Sequence, residues 1–374
     1  MRIPLSSPDI SEEDIQAVVS VLRTPNLSLG PKPPEFEEKI AAYTGVKYAV
    51  AVNSGTSGLH LCIRALGIGP GDEVITVPFS FVASANCMLF EGAIPKFVDI
   101  RPDTLCIDTA QIEKAITAKT KAILAVDVFG HPAEWDELTR IAKKNSLLLI
   151  EDSCEAIGAT YKGRRAGTFG ECGLFAFYPN KQMTTGEGGV IVTNREDVYH
   201  LAKSMRNQGR AVNGAWLQHE RLGYNYRLSD VNCALGISQL SRLDALLKKR
   251  HEVAMAYHDA LKALSGSLSL QHIEPEVTIS WFVYVVHLNE RFSQAQRDRI
   301  LEILRTKGIG CSNYFSPIHL QPYIAKMFGH KPGDFPVTEK ISARSIALPF
   351  FNQLRPEQIG QVVDALREAI HQIA

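Results

Sequence analysis

Apolar residues recur along the chain in two rhythms, short runs and helical spacing, and the two alternate. Ile15, Val18, Val19 and Leu22 share a helical period among acids, so Ile10 to Leu22 reads as an amphipathic helix. Thr24 to Pro34 is a loop by its proline and glycine content, and a helix over Pro34 to Tyr43 is stopped by Gly45. The run Tyr48 to Val52 predicts a strand, and Leu59 to Leu66 a helix closed by Gly67. Further strands are predicted at Glu73 to Val77, Ile94 to Val98, Ala122 to Val126, Leu147 to Ile150 and Val190 to Thr193. Between them Pro78 to Ala85 starts a helix, and Ala133 to Lys144 places Trp135, Leu138, Ile141 and Ala142 on one face. Val231 to Leu247 and Arg297 to Lys307 read as helices around a strand at Trp281 to Val286. Pro356 opens a last helix whose apolar positions are Ile359, Val362, Val363, Leu366 and Ile370. Strands alternating with helical patterns indicate an α/β chain, with a mainly parallel sheet covered by helices on both faces.

A chain of 374 residues exceeds the usual size of one core, so two domains are expected, residues 1–245 and 246–374. The basic run Lys248-Lys-Arg-His-Glu252 reads as a solvated hinge between them. Forty basic and forty acidic residues leave no formal net charge, so no general attraction to nucleic acid or an anionic membrane is encoded. Met1 to Pro8 lacks an apolar signal core and no run is long enough to span a bilayer, so a cytoplasmic location is expected. Seven cysteines without a C-x-x-C pair argue against a zinc site or a disulfide frame, and Cys154 and Cys172 read as packed side chains.

Candidate chemistry centres on Gly173 to Gly189, where Lys181 lies between Phe175, Phe177 and Tyr178 on one side and Gly186, Gly188 and Gly189 on the other. A held, partly dry amine forms a Schiff base with an aldehyde, whereas an ordinary surface lysine after a strand is the plainer reading of Lys181 alone. Asp152 changes the balance, because the run before it delivers the carboxylate to the carboxyl end of a parallel strand, where α/β proteins place ligand chemistry. A fixed carboxylate there suits pyridoxal phosphate, whose ring nitrogen must stay protonated to accept electrons. Asn53-Ser54-Gly55-Thr56-Ser57-Gly58, between a strand and a helix, suits a phosphate cradle, or an ordinary cap by Ser54 or Thr56. Phe81 is a candidate for stacking on a flat heterocycle, or a core residue. His131 is a ligand donor or, more simply, an anchor for its loop.

Six motifs in order carry a resemblance over nearly the full length. They are Ser54-Gly55-Thr56, the Phe81 segment, Glu151-Asp152, Lys181 with Thr185-Gly-Glu-Gly-Gly189, Gly223-Tyr-Asn225-Tyr-Arg227 and Pro317-Ile-His319-Leu-Gln-Pro322. The chain resembles the sugar aminotransferases of the DegT/DnrJ/EryC1/StrS family, within the fold-type I pyridoxal phosphate enzymes. The resemblance implies a large domain with a mainly parallel sheet and a smaller α+β C-terminal domain. It implies that Lys181 carries the cofactor as a Schiff base and Asp152 holds its pyridine nitrogen. Gly55 and Thr56, with Ser57 beside them, would bind phosphate, Phe81 would stack on the ring, and Glu155 stands where many members carry glutamine near the ring hydroxyl. Asn225 would reach the phosphate of the partner's cofactor, so a homodimer with shared sites is expected. The substrates implied are an amino-acid donor, usually glutamate, and a nucleotide-linked ketosugar, with Tyr314 and His319 as candidate contacts or as interdomain packing. The loops 25–34 and 207–216 are expected to set which sugar is chosen. Many relatives carry serine where this chain has Ala176, a departure worth about 0.5 to 1.5 kcal/mol of cofactor retention. Two alternatives stand beside transamination: a deoxysugar dehydratase, against which Lys181 argues because those relatives carry histidine there, and a silent cofactor-binding regulator.

Overall fold

The computed structural model describes residues 2–211 and 218–373. Part of the expected sugar-selecting loop, residues 212–217, lies outside the described residues. Helix α1 (Glu12–Leu22) and α2 (Lys32–Thr44) precede the first strand, β1 (Tyr48–Val52). The chain then runs through α3 (Gly55–Ala65), β2 (Glu73–Thr76), α4 (Ala83–Leu89), β3 (Ile94–Phe97), α5 (Thr109–Ala115) and β4 (Thr120–Val126). It continues through α6 (Trp135–Asn145), β5 (Leu148–Asp152), the short pair β6 (Thr160–Tyr161) and β7 (Arg164–Arg165), β8 (Cys172–Ala176) and β9 (Gly189–Thr193).

Seven of these strands form one sheet in the order β1-β9-β8-β5-β4-β2-β3. Pairings from β3 through β8 are parallel, and β9 runs antiparallel to both of its neighbours. Parallel strands need crossovers, and α4, α5 and α6 supply them. The strands are buried on both faces, which is why they read as continuous apolar runs rather than as alternation. The mainly parallel α/β expectation is met.

After α7 (Glu196–Met205) come α8 (Asp230–Ser241) and α9 (Leu243–Leu261). The C-terminal part holds β10 (Leu268–Ser269), β11 (Val277–Thr278), β12 (Tyr284–Leu288), α10 (Gln294–Thr306), α11 (Pro322–Phe328), α12 (Pro336–Arg344), β13 (Ser345–Leu348) and α13 (Pro356–Ile373). β10, β12 and β13 make a small antiparallel sheet, while β11 returns to pair with β6. Ile3 bridges to Ile309, so the amino terminus is also tied to this part.

Two expectations are corrected. The helix over Ile10 to Leu22 forms, but Ile15 and Leu22 are 47% and 56% exposed while Asp14 and Val21 are buried. Asp14 is drawn inward because its carboxylate accepts from Gln239 and Arg242, both at 2.6 Å, and closes a capping box with Ser11. The run Lys248 to Glu252 is not solvated throughout: it lies inside the unbroken helix α9, which also spans the expected boundary at 245 and 246. Lys248 is solvated, whereas Arg250 is 2% exposed. No helix among the described residues is long and apolar enough to cross a membrane. All seven cysteines are free.

Candidate active site

The predicted site residues gather where β5 and β8 end and α3 begins. Helix α3 starts earlier than expected, at Gly55, so Gly55, Thr56 and Ser57 form its first turn. Ser54 caps it, its Oγ accepting from the Ser57 amide at 3.1 Å. First-turn amides have no intrahelical acceptor, so those of Gly55 and Thr56 stay available to an anion at the positive end of the helix. The approach is close: a Cβ on Gly55 would stand 2.9 Å from the Ala176 Cβ and 3.2 Å from the Cys154 Sγ. A Cβ on Gly189 would lie 2.9 Å from the Ser54 carbonyl oxygen, so β9 also packs directly on this helix start.

Asp152 ends β5 and is buried. Its Oδ2 accepts from the Ser84 hydroxyl at 2.7 Å, and Ser84 in turn meets the Ser80 hydroxyl at 2.9 Å. Its Oδ1 accepts from the Cys154 amide at 3.3 Å. Behind it, Asp127 accepts from the Ala133 amide, the Trp135 indole and the Ser153 hydroxyl, and burial pushes its carboxyl up to about 6.

Lys181 follows a turn closed by its own amide on the Tyr178 carbonyl at 2.9 Å. Its Nζ lies 3.4 Å from the Glu155 Oε1 and 3.8 Å from the centre of the Phe282 ring, and both members of the ion pair are largely buried. Glu155 is fixed on its other oxygen by the Phe129 amide at 2.9 Å. Burial pushes the Glu155 carboxyl up, and the Lys181 charge opposes that push. The next residue, Gln182, donates to the Ser280 carbonyl at 2.9 Å, to the Ser280 hydroxyl and to the Glu155 carbonyl.

Tyr314 joins the same wall, its ring lying parallel to Phe282 at 6.4 Å and to Phe315 at 5.1 Å. Burial pushes its hydroxyl pKa up. His319 is not brought to these residues. It is fully buried, its Nε2 is 3.0 Å from Glu339, and its ring packs on Phe335, which is the packing alternative. Phe81 is 61% exposed, which removes the core reading and leaves a ring face free. Asn225 is exposed beside Asn53, and its side chain makes no hydrogen bond among the described residues. His131 is buried with Nδ1 on the Pro132 carbonyl, an anchor for its loop.

The residues present fit a phosphorylated aldehyde cofactor. A largely buried amine, a buried carboxylate at a strand end and a helix start that opens on Gly55 are the parts it needs, and Asn53 and Asn180, next in sequence to Ser54 and Lys181, each keep a buried side-chain oxygen without a partner among the described residues. Sequence reasoning missed Ser84, Phe282, Gln182 and Arg250. For Arg250 a signal was present: it shares a helical face with Leu246, Val253, Ala254 and Tyr257, all buried. Gln182 adjoins Lys181 in sequence but has its partners on a distant segment, and Ser84 and Phe282 meet the site only through packing of distant segments.

Comparison with known proteins matches residues 8–367 to the DegT/DnrJ/EryC1/StrS aminotransferase family. The chain is 36% identical to the spore coat polysaccharide biosynthesis protein SpsC of Bacillus subtilis, over 98% of this chain and 97% of that protein. It is 35% identical to the GDP-perosamine synthase of Caulobacter vibrioides, over 99% and 98%. Among solved structures, the aminotransferase PseC of Helicobacter pylori, involved in the biosynthesis of pseudoaminic acid, is 30% identical with a TM-score of 0.94 over 100% of both chains. The sheet order and these likenesses agree on the fold-type I architecture. The chain belongs to the DegT/DnrJ/EryC1/StrS aminotransferase family, a family of pyridoxal phosphate enzymes.

Proposed function

We propose that this enzyme moves an amino group from an amino acid, glutamate in the first instance, to a nucleotide-linked ketosugar. The observation that carries the reading is the largely buried Lys181 amine, 3.4 Å from Glu155, in the same site as the buried Asp152 carboxylate. The relatives named for GDP-perosamine and pseudoaminic acid support a sugar acceptor. Pyridoxal phosphate, when bound, supplies an aldehyde that exchanges amines and a ring that takes up the electron pair left at the donor's α-carbon.

The chain's own residues do the rest. Lys181 Nζ would hold the aldehyde carbon and, once displaced by the donor, move the α-proton as a general base. Asp152, oriented by Ser84 and the Cys154 amide, would keep the ring nitrogen protonated by placing a fixed negative charge beside it. The amides of Gly55 and Thr56, with Ser57, would bind the phosphate. Phe81 would cover one ring face, Glu155 would lie toward the ring hydroxyl, and Tyr314 would contact the sugar. Asn225, exposed and free of side-chain partners among the described residues, would reach the partner's phosphate in a homodimer. In this reading residues 1–245 form the cofactor-binding part and 246–374 the smaller part, with α9 shared between them.

An absorbance spectrum with pyridoxal phosphate, before and after glutamate, tests the reading. A visible band that glutamate converts is expected, after which candidate nucleotide ketosugars should restore it. No visible band with saturating cofactor would refute the assignment of Lys181.

A further inference from the structure

Arg250 carries a full charge into the interior and finds no carboxylate there. It is 2% exposed and forms no ion pair among the described residues. The acid whose charge reaches it, Asp9, is bound to Arg242 at 3.1 Å and to Lys249 at 3.0 Å. Burial lowers the guanidinium pKa to about 10. A bare buried cation is destabilising unless its donors are used, and here both Nη groups go to backbone oxygens while Nε has no partner among the described residues. Nη2 donates to the Asn180 carbonyl at 3.1 Å and to the Lys181 carbonyl at 2.8 Å, and Nη1 reaches the Phe282 carbonyl at 3.4 Å.

Those acceptors are not scattered. Two belong to the peptide units on either side of the Lys181 α-carbon, and the third belongs to the residue whose ring lies 3.8 Å beneath the Lys181 amine. A planar fork of fixed N–H donors serves three diverging carbonyls, which a lysine ammonium at the same place does less completely. We infer that Arg250 is the positioning residue of Lys181, locking the amine's backbone to the ring that supports it from the long helix α9. The inference rests on the reading of Lys181 as the amine that takes the cofactor. It assigns a role to a residue whose sequence neighbours, Lys248 and Lys249, are solvated.

The test adds pyridoxal phosphate to the full-length apoprotein and follows growth of the visible band in a stopped-flow instrument. Limiting rate and half-saturating concentration are read separately. In Arg250→Met the limiting rate should fall by about tenfold or more while the half-saturating concentration moves less than about threefold, the mark of lost orientation rather than lost binding. Arg250→Lys should recover part of the rate, leaving it about threefold below the parent. Hydrogen exchange in the loaded protein should rise across residues 178–183 in Arg250→Met and stay unchanged in β4 and β5. Wild-type limiting rates in both variants would overturn the inference. So would equal changes in rate and half-saturation accompanied by exchange across the whole sheet, because that pattern reports general loosening. Should Arg250→Met fail to fold, Arg250→Lys decides: a wild-type limiting rate there overturns the inference and a reduced one supports it. Lys181→Ala, which should give no band, checks the underlying reading separately, since a retained band there would remove Lys181 itself whatever Arg250 does.

Discussion

The start of α3 meets the end of β8, the strand that leads into the turn carrying Lys181, where a Cβ on Gly55 would touch Ala176, yet helix start and turn are held in different ways. The helix start is held by its own neighbours in sequence: Ser54 caps the Ser57 amide, three residues on. The lysine turn is held by distant segments. Gln182 binds Ser280, Arg250 binds the Asn180 and Lys181 carbonyls, Asn232 donates to the Thr185 carbonyl, and Gln239 accepts from the Thr184 amide. Gln239 also donates to Asp14, so the amino-terminal helix is linked to the turn as well. The difference follows from what each must do. A phosphate cradle needs only a helix end, which local geometry provides, whereas an amine needs one position and a dry wall, which only packing from several directions supplies.

The comparison can be broken at the lysine first. Lys181→Ala should abolish turnover and the visible cofactor band while the melting temperature of the cofactor-free protein changes little, because the turn is held by backbone and neighbouring side chains rather than by this amine. Retained transamination in that variant would end the proposed mechanism. The next largest effect is expected at Gln182. Gln182→Ala removes three buried hydrogen bonds and strands the Ser280 and Glu155 carbonyls, so urea denaturation should show a loss of roughly 2 to 4 kcal/mol.

Ser54→Ala probes the locally held side. Loss of one N-cap should lower unfolding stability by about 1 kcal/mol, less than Gln182→Ala. A larger loss at Ser54 than at Gln182 would reverse the contrast between local and distant support. The smallest effect is expected from Ala176→Ser, which places a hydroxyl against the free amides of α3. One added neutral hydrogen bond is worth about 0.5 to 1.5 kcal/mol, so an absorbance titration should show pyridoxal phosphate binding about two- to tenfold tighter. Unchanged affinity would mean that the helix start already satisfies the phosphate without β8.

Much of the architecture was legible in the residues. The face of α6 carrying Trp135, Leu138, Ile141 and Ala142 is buried as its spacing requires, and α13 buries the apolar positions read for it. Local chemistry was legible too: Ser54 before a helix, Gly45 after one in a left-handed conformation, and Asp152 at a strand end. The sequence by itself therefore determined many of the helices and strands of the sheet-bearing part, and singled out one amine and one carboxylate as candidates for cofactor chemistry. Periodicity and capping are relations between residues a few positions apart, so they survive in a one-dimensional reading.

Only the tertiary structure decided which side of an element faces inward when charge competes with apolarity. In α1 the partners of Asp14 lie on α8 and at Arg242, and they turned Ile15 and Leu22 outward against the helical pattern. At Arg250 the helical spacing already points inward, but its acceptors appear only when α9 is placed against the lysine turn and Phe282. Tertiary packing also paired Lys181 with Glu155 and set Phe282 beneath the amine. The physical reason is the same in each case. Burying a charge is favourable only where partners already wait, and those partners come from strands and helices that the chain brings together across long separations.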